Sequence, residues 1–575
     1  VSGVTGFIAW PTARLLMRAR RVDAWGVREI IQWALVPALV VGFVNEALNR
    51  VVSGALPEAA VPAAAGGAFL FVAVLSLGGR PTWRRSWVRW LPVLVAVLLA
   101  AHSCISFRTC GSYDYGATTA RRPGDRPHII LIIIDTVRAD HMRCYGYSRD
   151  TMPALERWAR GGVTVRRAVS PSGWTTPAHA SIFSGRTVSE HGIHYGSWQR
   201  GTRVGAPLMT SAFEDVSWLP DALHDEGYHC LAISANALAL RPEITGFDRV
   251  IIPGRAGWSK SSLAARADAA SPLTRGISER MGWRMPYVDA RGIVDIAMRA
   301  VPRDDRPLFL FVNFLDAHAP YNPPAPALKE LGVQPGHLFS RYLYHRKISL
   351  LWDSLPEGRA QYVADLYDGE LRWVDMNLER LLRWIDERYG EDAVIIVASD
   401  HGEELGEEGR VGHEYGLSQR IIHVPLFVRG PGLGRGELTD VVSLRSLFGF
   451  ICSWAKGGSP GVEGLVEADE HGLISERYAS TVNANILGAD YERPWVSVID
   501  GEHKAVGPSQ GGFELYDIEA MGFDREVVVT DSLLESALRA RIDEYWEEFR
   551  DQRTGGDEAP SAREKEALRS LGYLH

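Results

Sequence analysis

From residue 128 onward the chain alternates short, continuous apolar runs with segments of helical periodicity. HIILIIIDT (128–136) is unbroken and β-branched, the pattern of a strand covered on both faces in a parallel sheet. HCLAISAN (229–236), PLFLFVNFLDAH (307–318), AVIIVASDHG (393–402) and VPLFVRGPG (424–432) repeat it, while MPALERWARGG and VDMNLERLLRWIDERYG carry apolar residues at helical spacing. The alternation over residues 128–465 predicts an α/β domain, a mostly parallel sheet sandwiched by helices. Ligands of such sheets collect beyond the carboxyl ends of the strands. Three of the runs end there in ligand-type residues: Asp135, Asp316 with His318, and Asp400 with His401. Residues 466–575 have a different texture. WVSVIDGEHKAVGP and FELYDIEA read as short antiparallel strands, SLLESALRARIDEYWEEFRDQR as an amphipathic helix, and SAREKEALRSLGYLH as a last short one. They predict a smaller C-terminal α+β subdomain.

The first 110 residues follow another pattern. Ala59 to Gly79 and Trp90 to Phe107 are each long enough for a bilayer core, the first free of charge and the second holding only His102 as an ionisable group. Ile30 to Val44 is shorter and spans only with Asn45 and Glu46 at the interface. About three transmembrane helices are expected. Arg14, Arg18, Arg20, Arg21 and Arg28 before the first run, and Arg80, Arg84, Arg85 and Arg89 before the third, place both flanks on the cytoplasmic side. Everything beyond the linker 111–127 then lies outside, behind a multi-pass anchor in the cell (inner) membrane with the lipid bilayer as partner. The apolar opening VSGVTGFIAW leaves room for a further span upstream, and no cleaved signal-peptide layout is present.

Charge and cysteines narrow the function class. Of a net charge of −8 over 575 residues, residues 1–128 hold 14 Arg, no Lys and six acidic residues, which leaves −16 for the remainder. Such a domain does not partner nucleic acid. The five cysteines have no metal-finger spacing. Cys104 and Cys110 are open to a bridge or to idle thiols.

Asp400 and His401 adjoin at a strand end, and a strand turning into a loop can aim neighbouring side chains into one site. Carboxylate plus imidazole suits a divalent cation, with Mn, Zn or Ca as candidates and Asp135 as a third ligand. Taken alone, Asp135 reads as a helix N-cap or turn former; the Asp400–His401 pair shifts it to a ligand. In SGWTTPAHASIFSGR (172–186) Pro177 fits a first helical turn, so a helix is expected from near Thr176 with Thr175 at its N-terminus, where backbone N–H groups favour an anion. There Thr175 is either a plain N-cap or, bound to the same cation, an activated nucleophile.

Six motifs, IIIDTVRADHMRCYGY, MPALERWARGGVTVRRA, SPSGWTTPAHASIFSGR, NFLDAHAPYNPP, YDGELRWVDMNLERLL and ASDHGEELGEEG…GHEYG…VPLFVRGPG, occur in the order seen in the sulfatase family of the alkaline phosphatase superfamily. The resemblance covers about residues 127–575. It implies a metal-dependent hydrolase or transferase of phosphate or sulfate esters. Family sulfatases oxidise a Cys or Ser in a C/S-x-P-x-R turn to formylglycine. Here the turn is Thr175, Thr176, Pro177, Ala178 and His179, and threonine, with a methyl on its β-carbon, could yield only a ketone. Thr136 stands at the family's second metal-binding Asp, and Asp400–His401 at its Asp-Asn pair. The residues also resemble those of phosphoethanolamine transferases and lipoteichoic acid synthases, which use a threonine nucleophile and one metal.

That likeness implies Thr175 as nucleophile, Asp135, Thr175, Asp400 and His401 around one divalent cation, His318 as general acid and His413 as oxyanion donor. His179 replaces the turn's arginine, either as a cation near the ester or as a hydrogen-bonding brace. Asp316, His318 and His413 leave open a second metal, and Arg138, Asp140 and His191 read as ion pairing and turn support. The expected substrate is a phosphoester, on a lipid head group or glycan. Two alternatives stand beside it: a sulfatase working through the threonine alkoxide, and a non-catalytic binding scaffold on the same fold.

Overall fold

The computed structural model describes residues 126–193, 216–240, 244–253, 288–302, 306–319, 321–333, 359–407, 411–413, 416–466, 473–477, 493–508, 512–519 and 527–548, with strand residues 113–114, 198–199 and 202–203. Among these, no helix is long and apolar enough to cross a membrane. The three N-terminal apolar runs, their arginine flanks, Cys104, Cys110 and the C-terminal SAREKEALRSLGYLH lie outside the described residues.

Among the described residues nine strands form the main sheet: β1 (Tyr113–Asp114), β2 (His128–Ile134), β3 (Val163–Val169), β4 (His229–Ser234), β5 (Arg249–Ile251), β6 (Leu308–Phe314), β7 (Ala393–Ala398), β8 (His423–Arg429) and β9 (Gly436–Ser443). Their spatial order is β1-β5-β4-β6-β2-β7-β8-β3-β9. The central block β5-β4-β6-β2-β7 is parallel throughout. β2 sits at its middle, and side-chain alternation sends its isoleucines to two cores. Ile130, Ile132 and Ile134 pack in one core with residues of α5 (Ala290–Ala300) and α6 (Arg359–Tyr389). Ile129, Leu131 and Ile133 pack in the other with residues of α2 (Thr175–Ser184), α4 (Leu219–Asp225) and α7 (Leu447–Ala455). This is why the run is apolar without a break.

The sheet is mostly parallel, as the sequence predicts, and departs from that at β8 and at the edge strand β1. VPLFVRGPG forms β8, which runs antiparallel to both β7 and β3. A parallel return needs a crossover, usually a helix. The described residues between β7 and β8 instead include the two-stranded pair Glu404–Leu405 with Val411–Gly412 and the one-turn helix Gln419–Ile422. β1, β3, β5 and β9 were not predicted as strands.

A second, five-stranded antiparallel sheet holds β10 (Leu473–Arg477), β11 (Trp495–Asp500), β12 (His503–Pro508), β13 (Glu514–Asp517) and β14 (Val527–Val528) in sequence order. Its face is covered by α8 (Ser532–Glu548) through Leu538, Ile542, Tyr545 and Trp546. β11, β12, β13 and α8 fall on the stretches expected to form strands and helix, whereas β10 and β14 were not predicted. Leu473, Ile499, Val506 and Ile518 join Val169, Leu417, Ile421 and Ile422 in a shared apolar cluster, which fastens the small sheet beside β3 and β8.

Candidate metal centre and nucleophile turn

Asp135 follows β2 directly, its N–H bonded to the Phe314 carbonyl at 2.9 Å. The next residue, Thr136, takes φ +62°, a left-handed conformation costly for a β-branched residue. Bonds on every side hold it there. Its N–H donates to Asp400 Oδ1 (3.2 Å), its hydroxyl to the Asp135 carbonyl (2.7 Å), and its carbonyl accepts from the Tyr367 hydroxyl (2.8 Å). The turn brings the exits of β2 and β7 together.

After β7, Asp400 Oδ1 also accepts the His401 N–H at 3.0 Å. His401 Nδ1 lies 2.9 Å from the Gly402 carbonyl. A carbonyl can only accept, so Nδ1 carries the proton and Nε2 presents its lone pair, the usual arrangement for a ligating histidine. Gly402 is required here, because a Cβ would stand 2.0 Å from the Arg420 carbonyl.

Ligand atoms of Asp135, Asp400 and His401 all lie within 4.8 Å of one another, and all three residues are fully buried. His401 Nε2 is 3.8 Å from Asp135 Oδ1 and 3.4 Å from Asp400 Oδ2. Neither of those carboxylate oxygens has a hydrogen-bond partner among the described residues. Burial, then the charge of Asp400, pushes the Asp135 carboxyl well above its ordinary range. Burial also raises Asp400, to about 7, against the pull of the Thr136 and His401 amides. Two desolvated carboxyls with bare oxygens facing one lone pair are costly without a cation between them. The donor set therefore fits a divalent ion.

Thr175 completes the group. Trp174 is the N-cap of α2 and makes no side-chain cap bond, so Thr175 is the first helical residue and its hydroxyl is not spent on capping. Thr175 Oγ1 stands 3.3 Å from His401 Nε2 and donates to Asp135 Oδ2 at 3.5 Å. Gly173 permits the approach, since a Cβ there would stand 2.9 Å from the Gly416 carbonyl.

Three further histidines surround the turn. His179 Nδ1 donates to the Thr175 carbonyl at 2.9 Å and lies 3.4 Å from Asp400 Oδ2. Its ring packs against Phe183 and Phe311, and burial lowers its pKa to about 3. The bond to Thr175 spans the first turn of α2, and burial disfavours the charged form of the ring. His413 Nδ1 pairs with Glu403 Oε1 at 3.1 Å, and its ring centroid lies 4.5 Å from His401 and 4.9 Å from His318. His318 Nδ1 donates to the Ala319 carbonyl at 2.6 Å. Burial lowers both, His318 to about 4 and His413 to about 3.

Asp316 does not join them. Its Oδ1 accepts the Ala290 N–H at the start of α5 (2.9 Å), and burial, then Asp289, raises it to about 8. No metal-type cluster other than Asp135, Asp400 and His401 occurs among the described residues. Arg138 pairs with Asp140 (2.7 Å) and Glu407 (2.7 Å), and His191 Nε2 meets the Ser181 hydroxyl at 3.0 Å, both supporting the surrounding loops.

Sequence reasoning missed Asn236. Its Nδ2 donates to Asp135 Oδ2 at 2.7 Å and lies 3.4 Å from Thr175 Oγ1. Its position just past β4, at the same rim of the parallel block where β2, β6 and β7 end, was the available signal. Glu403 was also missed; it accepts from Tyr321 and faces His413.

The sulfatase family model matches residues 127–457. A sulfatase of Formosa agariphila is 23% identical over 354 residues, covering 56% of this chain and 68% of that one. An arylsulfatase of Clostridium perfringens is 22% identical over 431 residues, covering 66% and 82%. Among solved structures, the phosphonate monoester hydrolase of Silicibacter pomeroyi superposes with a TM-score of 0.53 at 18% identity, covering 74% of this chain and 96% of its own.

Proposed function

Because the chain belongs to the sulfatase family and is an ester hydrolase of that lineage, we propose that it cleaves or transfers a phosphate or sulfate ester through Thr175. The observation that carries this reading is the convergence of the Thr175 hydroxyl with Asp135, Asp400 and His401, two of whose carboxylate oxygens lack partners. A divalent cation held by those three residues would lower the pKa of a bound hydroxyl and offset charge on the ester oxygens. The chain supplies the rest. Asp135 Oδ2 and Asn236 Nδ2 orient Thr175 Oγ1, and the N-terminus of α2, where Thr175 sits, would favour an anionic group. The Oγ1 proton would pass to its acceptor Asp135 Oδ2 as Oγ1 forms the new ester bond and the bond to the leaving alcohol breaks, and the covalent ester is then passed to water or to an acceptor alcohol. His318, whose Nδ1 donates to the Ala319 carbonyl, would exchange a proton with the leaving group, and His413 pairs with Glu403 beside it.

Residue 175 being threonine, aldehyde chemistry is closed to it, which favours a phosphoester over a sulfate ester. The apolar runs and arginine flanks of residues 1–110 favour a membrane-anchored enzyme facing outward, acting on a lipid head group or glycan. The test is turnover of aryl phosphodiester, phosphomonoester and sulfate by the full chain, with and without Mn²⁺, Zn²⁺ or Ca²⁺. Thr175→Ala is expected to lose at least about a thousandfold in kcat/KM and the covalent adduct seen by intact mass. Full activity in that variant would overturn the assignment.

A further inference from the structure

The turn that carries Thr175 is held from outside the main sheet. The Glu476 N–H, on β10, donates to the Pro171 carbonyl at 2.9 Å, and the Ser172 hydroxyl donates to the Glu476 carbonyl at 2.8 Å. The neighbouring Ser475 hydroxyl donates to the Ser170 carbonyl at 2.6 Å. Ser172 thus pairs with Glu476 as an isolated parallel bridge, three residues before Thr175.

The Glu476 side chain reaches the other end of the same segment. Its carboxylate accepts the Ser189 N–H (2.9 Å) and the Ser189 hydroxyl (2.7 Å) in α3 (Val188–His191), the helix that follows α2. It also accepts the hydroxyl of Tyr545 from α8. Tyr545 lies 3.0 Å from the hydroxyl of Thr187, the residue that caps α3. Glu476 and Tyr545 are both nearly inaccessible, at 1% and 2% exposure.

We infer that Glu476 and Tyr545 are positioning residues for Thr175, through which the C-terminal subdomain fixes both ends of α2. The inference rests on the reading of Thr175 as nucleophile. Ten residues of α2 carry no side-chain N-cap, so the approach of its first hydroxyl to Asp135 and His401 is set by how the flanking backbone is anchored. Glu476 anchors both flanks at once. Charge-assisted bonds to a buried carboxylate are short and directional, and misplacing a reacting group by about 1 Å costs on the order of a hundredfold in rate.

The experiment compares the full-length parent with Tyr545→Phe, Glu476→Gln and Glu476→Ala, using bis(p-nitrophenyl) phosphate and p-nitrophenyl sulfate with Mn²⁺. Tyr545→Phe is expected to lower kcat about tenfold, with KM and Mn²⁺ affinity within twofold of the parent. Glu476→Ala falls further and Glu476→Gln recovers most of the loss, because its amide still accepts from Ser189 N and donates to Ser189 Oγ. Amide exchange read by mass spectrometry should rise in 172–178 and 187–191 of Tyr545→Phe while 128–135 stays protected. Unchanged kcat in Tyr545→Phe and Glu476→Ala at matched folded fraction, or unchanged exchange in both segments, overturns the inference. Retained turnover in Thr175→Ala would instead sink the nucleophile reading, and the exchange result would still judge the clamp.

Discussion

Asp400→Asn isolates the energetic cost of the metal centre. In the metal-free fold Asp400 is fully buried and its carboxyl is raised from 3.8 to about 7. A raised carboxyl means that the folded chain holds a proton the unfolded chain has released. The favourable contribution is complete below pH 4 and is lost as pH rises through about 7. About three pKa units at 1.36 kcal/mol each set an upper limit of about 4 kcal/mol lost by pH 8. Asparagine keeps Oδ1 as acceptor for the Thr136 and His401 amides and replaces an oxygen that has no hydrogen-bond partner. It also removes the charge that raises Asp135. In EDTA at pH 8 the variant should therefore be the more stable protein, by about 2–4 kcal/mol in urea unfolding, with a shallower loss of stability from pH 5 to 8. With Mn²⁺ or Zn²⁺ at a hundredfold excess over Kd the parent gains about 2.7 kcal/mol, and the variant gains less. A variant no more stable than the parent in EDTA at pH 8, or one with the parent's pH slope, would refute the account.

Two further outcomes follow from the same geometry. Asp316, raised to about 8 by burial, then by Asp289, makes the fold lose stability as pH climbs from about 4 through 8; Asp316→Asn, which keeps the bond from Ala290, should flatten the melting temperature against pH, and parallel curves would count against it. Gly402→Ala drives a methyl to 2.0 Å from the Arg420 carbonyl and should cost about 2 kcal/mol or more while weakening Mn²⁺ binding by calorimetry, so a silent substitution would show that the loop after His401 is freer than its packing implies.

The parallel centre of the sheet was legible because burial on both faces leaves its strands unbroken by polar residues. β3 was not, because VTVRRAV places Arg166 and Arg167 in mid-strand, where both are half-buried. The orientation of β8 was invisible since strand composition does not record direction. The length of α6 was obscured by buried carboxylates that interrupt its apolar stripe. Asp375 accepts the Ala154 and Leu155 amides at the start of α1 (Pro153–Ala159), and Asp368 receives His141, Tyr147 and Arg149. At the site, carboxylates and imidazole at strand ends announced Asp135, Asp400 and His401. Asn236 carries no charge and past a strand reads as an ordinary turn former, so only the fold reveals its bond to Asp135.

The reversal of β8 has a consequence for how the site is assembled. Because β7 and β8 run in opposite directions, residues 399–422 leave and re-enter the sheet at the same rim, the one that holds the metal-type ligands. A parallel return would have spent that length carrying the polypeptide to the far rim and back. Here both ends of the connection stay on that rim, so Asp400, His401, Glu403 and His413 all come from one short stretch of chain with no crossover between them.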